Sequence, residues 1–449
     1  MYIVVTEFNL HMSSVLNVLL FFGCESITLL LTFFIWIYRE HEAPVDSLLP
    51  SSSVFIPHIE VKDLSIIVHS YNCGEKSLSF SDLIHHVPEG KDIYLFSLQE
   101  CISPTKSIKA INEFVNSKKQ EYFIQSESIG SRLKILGYHG TITIVAAVRK
   151  SIASPFTVIA PSTVYEGFNL GICRLGNKGS VGISLRFGHH SLLFVGSHFA
   201  SDLKGKSYLA QRIHNVQSTL SSFSPEHIGL MNWECSYVYH YVIVAGDLNF
   251  RLNETSLERI FQDIAQGAKN HDYSELVAKD QLHDVIQKKL IFLDYQEAPI
   301  SFPPTFKFEK KEKGKCLDYS NLEDVRRVYK TKGADQTIRI PSYVDRIMWH
   351  SLPGCKDLFQ VAGDYQMCED VLQSDHRPVM CEFVLKEENN TTTQWFREDF
   401  GRPLHLCMSE FQMESDSLNI TAIKVCCPIP CEDVLWDKRL VSTEILLHL

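Results

Sequence analysis

The apolar run VIVA at Val242–Ala245 gives way within a few residues to Asp247, Asn249 and Arg251. The same change from apolar to reactive recurs along the chain. SIIVHSYN ends at Asn72, IYLFSLQE at Glu100 and LLFVGSH at His198, while SDHRPVM opens with Asp375 and His376 and PSYVDRIMW carries Asp345. Singly, each has a plain reading: an Asp-x-Asn that satisfies its own turn, or a histidine hydrogen-bonded within the fold. Jointly they supply carboxylates, neutral amides and two histidines with no cysteine ligand pair, a donor set suited to Mg2+ and not to zinc. That metal points to chemistry on a phosphate ester.

Positioning these groups falls to short runs rich in Val, Ile and Phe: LSIIVHSYN, DIYLFSLQE, GTITIVAAVR, GSVGISLRF, HSLLFVGSHF, YVIVAGDLNF, YVDRIMWHS and HRPVMCEFVL. Each has the length and composition of a strand. Helix-like stretches at Ser103–Asn116, Ser207–Phe223 and Ser256–Gln266 lie between them. The mixture predicts strands covered by helices, an α/β or α+β sandwich in which polar strand ends meet in one pocket. Residues 309–336, dense in Lys, Arg, Glu and Asp, read as a solvated excursion.

With 449 residues the chain divides on composition into an apolar extension (1–60), a central domain (61–386), and a linker with a β-rich tail that resembles part of a β-sandwich (387–449). A net charge of −10 speaks against a protein that coats nucleic acid, since such binding needs many cations on phosphates. An anionic substrate therefore requires a local basic pocket. The thirteen cysteines lack the spacing of a zinc module or disulfide framework, and CCPIPC at 426–431 reads as structural, so reduced cytoplasmic thiols are expected. Two readings stay open for Val15–Tyr38: a membrane anchor, and an apolar extension packed on the domain. The segment is long enough to span a bilayer, yet Glu25 near its middle costs roughly 2.5–3.5 kcal/mol there.

In chain order, SYN (70–72), LQE (98–100), GNKGSVGIS (176–184), SHF (197–199), GDLNFR (246–251), FPPTFKF (302–308), RIPSYVDRI (339–347) and SDHRPV (374–379) resemble the motifs of the inositol polyphosphate 5-phosphatases. These are relatives of the deoxyribonuclease I and exonuclease III type of Mg2+ phosphoesterase. The resemblance implies a deoxyribonuclease I-like four-layer sandwich, two packed mixed β-sheets flanked by helices. It implies that Glu100 with Asn72 holds Mg2+, that Asp247 is the general base, and that Asn249 fixes the attacking water or a phosphate oxygen. His376, kept protonated by Asp345, contacts the scissile phosphate, and His198 and Asp375 complete the shell. Lys307 and Arg339 match positions that grip a ring 4-phosphate, with Lys178 lining the same mouth and Phe306 standing where a Tyr is usual.

Other departures are Thr337 in place of a second Lys, Val344 in place of a Cys, and LAQRIHN after SHFAS, which leaves Arg212 as a remnant. GICRLGNKGSVGISL and DVLQSDHRPV look most like the branch acting on phosphatidylinositol 3,4,5-trisphosphate. The expected substrates are phosphoinositides at a membrane surface, met by a peripheral cytoplasmic enzyme, or soluble inositol phosphates, and not nucleic acid. Two alternatives are a catalytically silent lipid-binding scaffold and a related Mg2+ phosphodiesterase or nuclease.

Overall fold

The computed structural model describes residues 63–386 apart from 119, 131–139, 153–162, 170–173, 188–189, 203–204, 224–233, 333–336 and 353, together with tail strands at 405–414, 417–426 and 434–435. The expected extension 1–60, Val15–Tyr38 within it, and all of CCPIPC after Cys426 lie outside the described residues. By compactness the chain separates into His58–Phe168 with Arg174–Leu449, which holds nearly all described residues, and Met1–Pro57 with Asn169–Cys173. Among the described residues no helix is long and apolar enough to cross a membrane.

In order come β1 (Leu64–Lys76), α1 (Ser81–Ile84), β2 (Ile93–Cys101), α2 (Pro104–Val115), β3 (Tyr122–Ile129), β4 (Thr141–Arg149), β5 (Thr163–Asn169), β6 (Arg174–Phe187), β7 (His190–His198) and α3 (Leu209–Ser222). Then follow β8 (Tyr241–Asp247), α4 (Leu257–Asn270), α5 (Ser274–Val277), α6 (Gln281–Gln287), α7 (Leu322–Val328), β9 (Asp345–Ser351), β10 (Phe359–Val361), β11 (Gln366–Met367) and β12 (Val379–Leu385). The tail carries β13 (His405–Glu414), β14 (Ser417–Cys426) and β15 (Val434–Leu435), paired in that order as a separate three-stranded sheet.

One mixed sheet runs β10-β12-β1-β2-β4-β3, with β11 also on β12; the other runs β5-β6-β7-β8-β9. They pack face to face. Ile66 and Val68 of β1 meet Ile243 and Ala245 of β8 in the shared core, while Ile67 and Tyr71 point the other way, under α1 and α2. Val242 and Val244 turn outward beneath α3 and α6. Both faces of these strands are buried, which is why their sequences read as unbroken apolar runs instead of alternating ones.

Strand direction decides where the polar ends go. β1 is parallel to β2, and β7 to β8, whereas β9 and β12 run antiparallel to their neighbours. The ends of the parallel strands and the starts of the antiparallel ones therefore gather at one edge. His198, Asp247 and Asp345 are register partners on a single rung across β7, β8 and β9.

The charged stretch 309–336 departs from expectation. It is not merely solvated: α7 buries Val325 and Val328, Tyr329 is buried beside it, and Arg377 donates to the Gly314 carbonyl at 2.8 Å. Leu322, Val325 and Val328 recur at helical spacing, but the charges between them conceal the pattern. Asn321 caps the helix through the Glu323 and Asp324 amides.

Below the site, Arg346 is a fully buried cation shared by Asp280 at 2.6 Å and Glu297 at 2.6 Å, and Asp280 also accepts from Leu282 N at 2.6 Å to start α6. Arg346→Met leaves Asp280, 0% exposed, without its counter-charge. The expected loss is about 3–5 kcal/mol of unfolding free energy, read by urea denaturation. A loss under about 1 kcal/mol would show that the network carries no weight.

Candidate active site

Asp247 ends β8 with its carboxylate almost wholly enclosed. Its Oδ1 accepts from the Asn249 backbone N–H at 3.1 Å, and its Oδ2 accepts from Asn72 Nδ2 at 2.9 Å, from the opposite sheet. His198 Nε2 lies 3.2 Å from the same Oδ2, and His376 Nε2 lies 3.9 Å away. Burial alone would push the carboxyl up, but its hydrogen bond and charge interaction with His198, then the charges of His376 and Lys178, hold it far below the usual carboxylate range.

Asp247 and Asn249 do not project side by side from one strand. The strand stops at Asp247, and Asn249 adopts the left-handed conformation, φ 59°. Its backbone N–H clamps Asp247, while its side chain donates to the Phe199 carbonyl at 3.1 Å and accepts from Arg251. An asparagine tolerates this conformation better than a bulkier residue.

Glu100 sits on the other sheet, also at positive φ, 50°. Gly140 packs against it so closely that a Cβ there would stand 2.5 Å from the Glu100 carbonyl carbon. The Glu100 side chain is 25% exposed, and its Oε1 lies 3.9 Å from His198 Nε2. Asn72 is oriented by accepting from Gly74 N at 3.0 Å. Glu100, Asn72 and Asp247 thus offer hard oxygen donors around His198, which fits a divalent cation such as Mg2+. Asp247, Asp345 and His376 also bring possible ligand atoms together, all within 4.8 Å of one another. Asp345 is the weaker candidate as a ligand, because its oxygens are already committed to His376 and Thr305.

That commitment is specific. Asp345 Oδ2 accepts from Thr305 Oγ1 at 2.7 Å and lies 3.0 Å from His376 Nδ1. Ser374 Oγ accepts the His376 backbone N–H at 3.1 Å. Phe306 packs on the imidazole with ring centroids 4.5 Å apart, and the Arg251 guanidinium covers the same phenyl ring at 4.6 Å. Thr305 and Ser374 had no separate signal in the sequence beyond their places in PTF and SDH. The missing Tyr hydroxyl at 306 is replaced here by a hydrophobic plate.

The cations divide into two groups. Lys307 Nζ pairs with Asp375 at 3.1 Å and Lys310 Nζ with the same carboxylate at 3.3 Å. Burial pushes the Asp375 carboxyl up, but His376 and these two lysines bring it well below its ordinary value. Arg339 reaches the Asp202 carbonyl at 3.5 Å, and Arg212, fully buried, pairs with the Asp202 carboxylate at 2.7 Å. Lys178 does not join the Lys307 group: its Nζ rests against His198 Nε2, and burial brings its pKa down to about 8. For Arg251, bonds to the Asn249 carbonyl and side chain favour support of the turn.

His376 behaves as a trapped cation. Burial lowers its pKa, but Asp345 first, then Asp247 and Asp375, raise it from 6.5 to about 9. The imidazolium therefore persists through neutrality and loses its proton only as pH rises through about 9. In Asp345→Asn the largest raising influence vanishes while burial remains, so the midpoint should fall by more than one pH unit. Histidine-ring NMR titration of both proteins reads this directly; an unchanged midpoint rejects the pairing as its cause.

The family described as Endonuclease/Exonuclease/phosphatase family 2 matches this chain over residues 69–382. Among curated proteins, phosphatidylinositol 3,4,5-trisphosphate 5-phosphatase 2B of Danio rerio is 31% identical over 209 residues, 46% of this chain. Phosphatidylinositol 3,4,5-trisphosphate 5-phosphatase 1 of Xenopus laevis is 27% identical over 303 residues, 68% of this chain. The match spans only 15% and 26% of those relatives' own lengths. Among solved structures, the inositol polyphosphate 5-phosphatase domain of SPsynaptojanin, in complex with inositol (1,4)-bisphosphate and calcium ion, superposes with TM-score 0.54 at 23% identity, covering 75% of this chain and 89% of that one. The Cimex nitrophorin ferrous NO complex superposes with TM-score 0.50 at 17% identity, covering 73% and 99%. Matched from residue 69 to residue 382, the chain belongs to the endonuclease/exonuclease/phosphatase family.

Proposed function

We propose that this chain is a Mg2+-dependent phosphatase that removes the 5-phosphate from phosphoinositides or from soluble inositol polyphosphates. The observation that carries the reading is the meeting of Glu100, Asn72, Asp247, His198 and the Asp345–His376 pair at one edge of both sheets, with Lys307 held nearby on Asp375. The names of the curated relatives and the inositol bisphosphate in the SPsynaptojanin domain support the same substrate class.

Glu100 and Asn72 would hold the metal, which when bound polarises the phosphate and offsets its developing charge. Asp247, kept ionised, accepts the proton of an attacking water. Its lone pairs are already directed by Asn249 N–H and Asn72, so little reorganisation is needed. His376 donates from Nε2 to a phosphate oxygen while Asp345 retains the charge on its ring. His198, its pKa brought down by burial and by Lys178, lies against Asp247 Oδ2 and orients that carboxylate. Lys307 and Arg339 select the ring by gripping a neighbouring phosphate. The preferred site of action is the cytoplasmic face of a membrane.

Phosphate release from phosphatidylinositol 4,5-bisphosphate, phosphatidylinositol 3,4,5-trisphosphate and their soluble head groups tests the assignment. Activity should vanish in EDTA and return with Mg2+, and Asp247→Asn should lower kcat by about 10²–10⁴-fold. Liposome binding with no turnover on any of these substrates would instead support the silent scaffold. Arg339→Ala should raise KM at least tenfold for substrates carrying a 4-phosphate and leave those lacking it nearly unchanged. Equal effects on both would remove Arg339 from substrate recognition.

A further inference from the structure

His69, His86 and Cys368 form a second cluster, on the face of the large sheet that α1 and α2 cover. Among the described residues it is one of two groups whose side chains converge as metal ligands do, their donor atoms all within 4.8 Å of one another. His69 projects from β1 to the face that carries Tyr71, away from Asn72. His86 follows α1, and Cys368 follows β11, so the three residues come from distant parts of the chain.

Nothing in the hydrolytic site uses this cluster, in which the His69 and His86 rings lie nearly parallel with centroids 5.6 Å apart and His69 also packs on Phe96 at 5.4 Å. The two Nε2 atoms stand 3.4 Å apart, longer than the 2.7–3.2 Å or so of a well-formed N–H hydrogen bond. A tetrahedral zinc with Zn–N of about 2.0–2.1 Å sets neighbouring nitrogens about 3.3–3.4 Å apart. His69 is completely buried, and its Nδ1 has no hydrogen-bond partner. Cys368 is a free thiol. His86 is only half-buried, so one side of the cluster opens to solvent, where exposed Asp370 acts electrostatically on both His86 and Cys368.

We infer that His69, His86 and Cys368 form a zinc site, with the fourth position filled by water or by Asp370 on the open side. Two imidazoles and one thiolate are soft to borderline ligands, which favour Zn2+ over the hard cation expected at the hydrolytic site. On binding, the Cys368 S–H bond breaks, a sulfur–zinc bond forms, and the thiol proton passes to solvent. The ion would tie the segment after α1 and the segment after β11 to β1, the strand whose other face presents Asn72.

The test uses the full chain in saturating Mg2+ and compares it with Cys368→Ala and His86→Gln. After dialysis against zinc under reducing conditions, metal analysis should find one zinc more per unmodified chain than per Cys368→Ala chain. Replacement by Co2+ should give a thiolate-to-cobalt charge-transfer band in the near ultraviolet that the Cys368→Ala chain lacks. His86→Gln, at the solvent edge, should keep the fold, as judged by its far-ultraviolet circular dichroism, and weaken zinc binding more than about tenfold. Equal zinc content in the unmodified and Cys368→Ala chains, or no cobalt band attributable to Cys368, overturns the proposal. The band in the unmodified chain is readable even if a variant fails to fold.

Discussion

The ionised carboxylate of Asp247 is the constraint on which the site depends. It is 2% exposed, and an unpaired charge at that depth costs several kcal/mol. Compensation comes from both sheets: Asn72 from β1, His198 from β7 and the Asn249 amide from the turn after β8. The sheets must therefore meet in one relative register, or Asn72 leaves Asp247 unsatisfied. Packing enforces that register at Gly196, where a Cβ would stand 2.2 Å from Ile144 Cγ2, and at Ser97, whose hydroxyl donates to the Ala245 carbonyl at 2.8 Å. The core and the charge specify the same arrangement.

Much of this was legible in the sequence, for a definite reason. Strands buried on both faces cannot alternate, so β1, β2, β7 and β8 stand out as apolar runs, and a polar residue at the tip of such a run must have a partner. α2 matched its expected limits closely, with Ser103 and Asn116 as its flanking residues. Less legible were β3, an edge strand with Gln, Ser and Glu among its residues, and β10 and β11, too short to carry a period. Distances between sequence-remote cations were also hidden. Lys178 lies in a glycine-rich motif that gives no sign of contact with His198, and the Lys310–Asp375 pair joins a charged run to a motif far downstream.

Backbone conformation forms a further layer that residue types express only faintly. Glu100 and Asn249 both occupy the left-handed region, which costs a non-glycine residue of order 1–3 kcal/mol. Each lies directly beside the reacting groups. Around Glu100 the cost is sustained by Gly140, whose lack of a side chain lets β4 approach the Glu100 peptide. Around Asn249 it is sustained by the Phe199 carbonyl and by Arg251. Neither conformation follows from a strand pattern, since in both places the chain leaves its regular path in order to aim a side chain.

A shared fold does not by itself determine the reaction, because a nitrophorin in a ferrous NO complex superposes on this chain about as well as an inositol polyphosphate 5-phosphatase domain does. What differs between uses of such a fold is the occupancy of the polar edge and the state in which its charges wait. Here the cations already have partners: Lys307 and Lys310 share Asp375, Arg251 holds Asn249, and Arg212 holds Asp202. On the proposed function, an entering phosphate would exchange partners with Lys307 instead of meeting a bare charge. The desolvation cost of that cation is met during folding, so the phosphate would have only to compete with one carboxylate that is itself stabilised by three neighbours. On the proposed chemistry, Asp375 keeps the recognition lysines ordered until an anion of higher charge draws one of them away, which favours a polyphosphate over a singly charged ester.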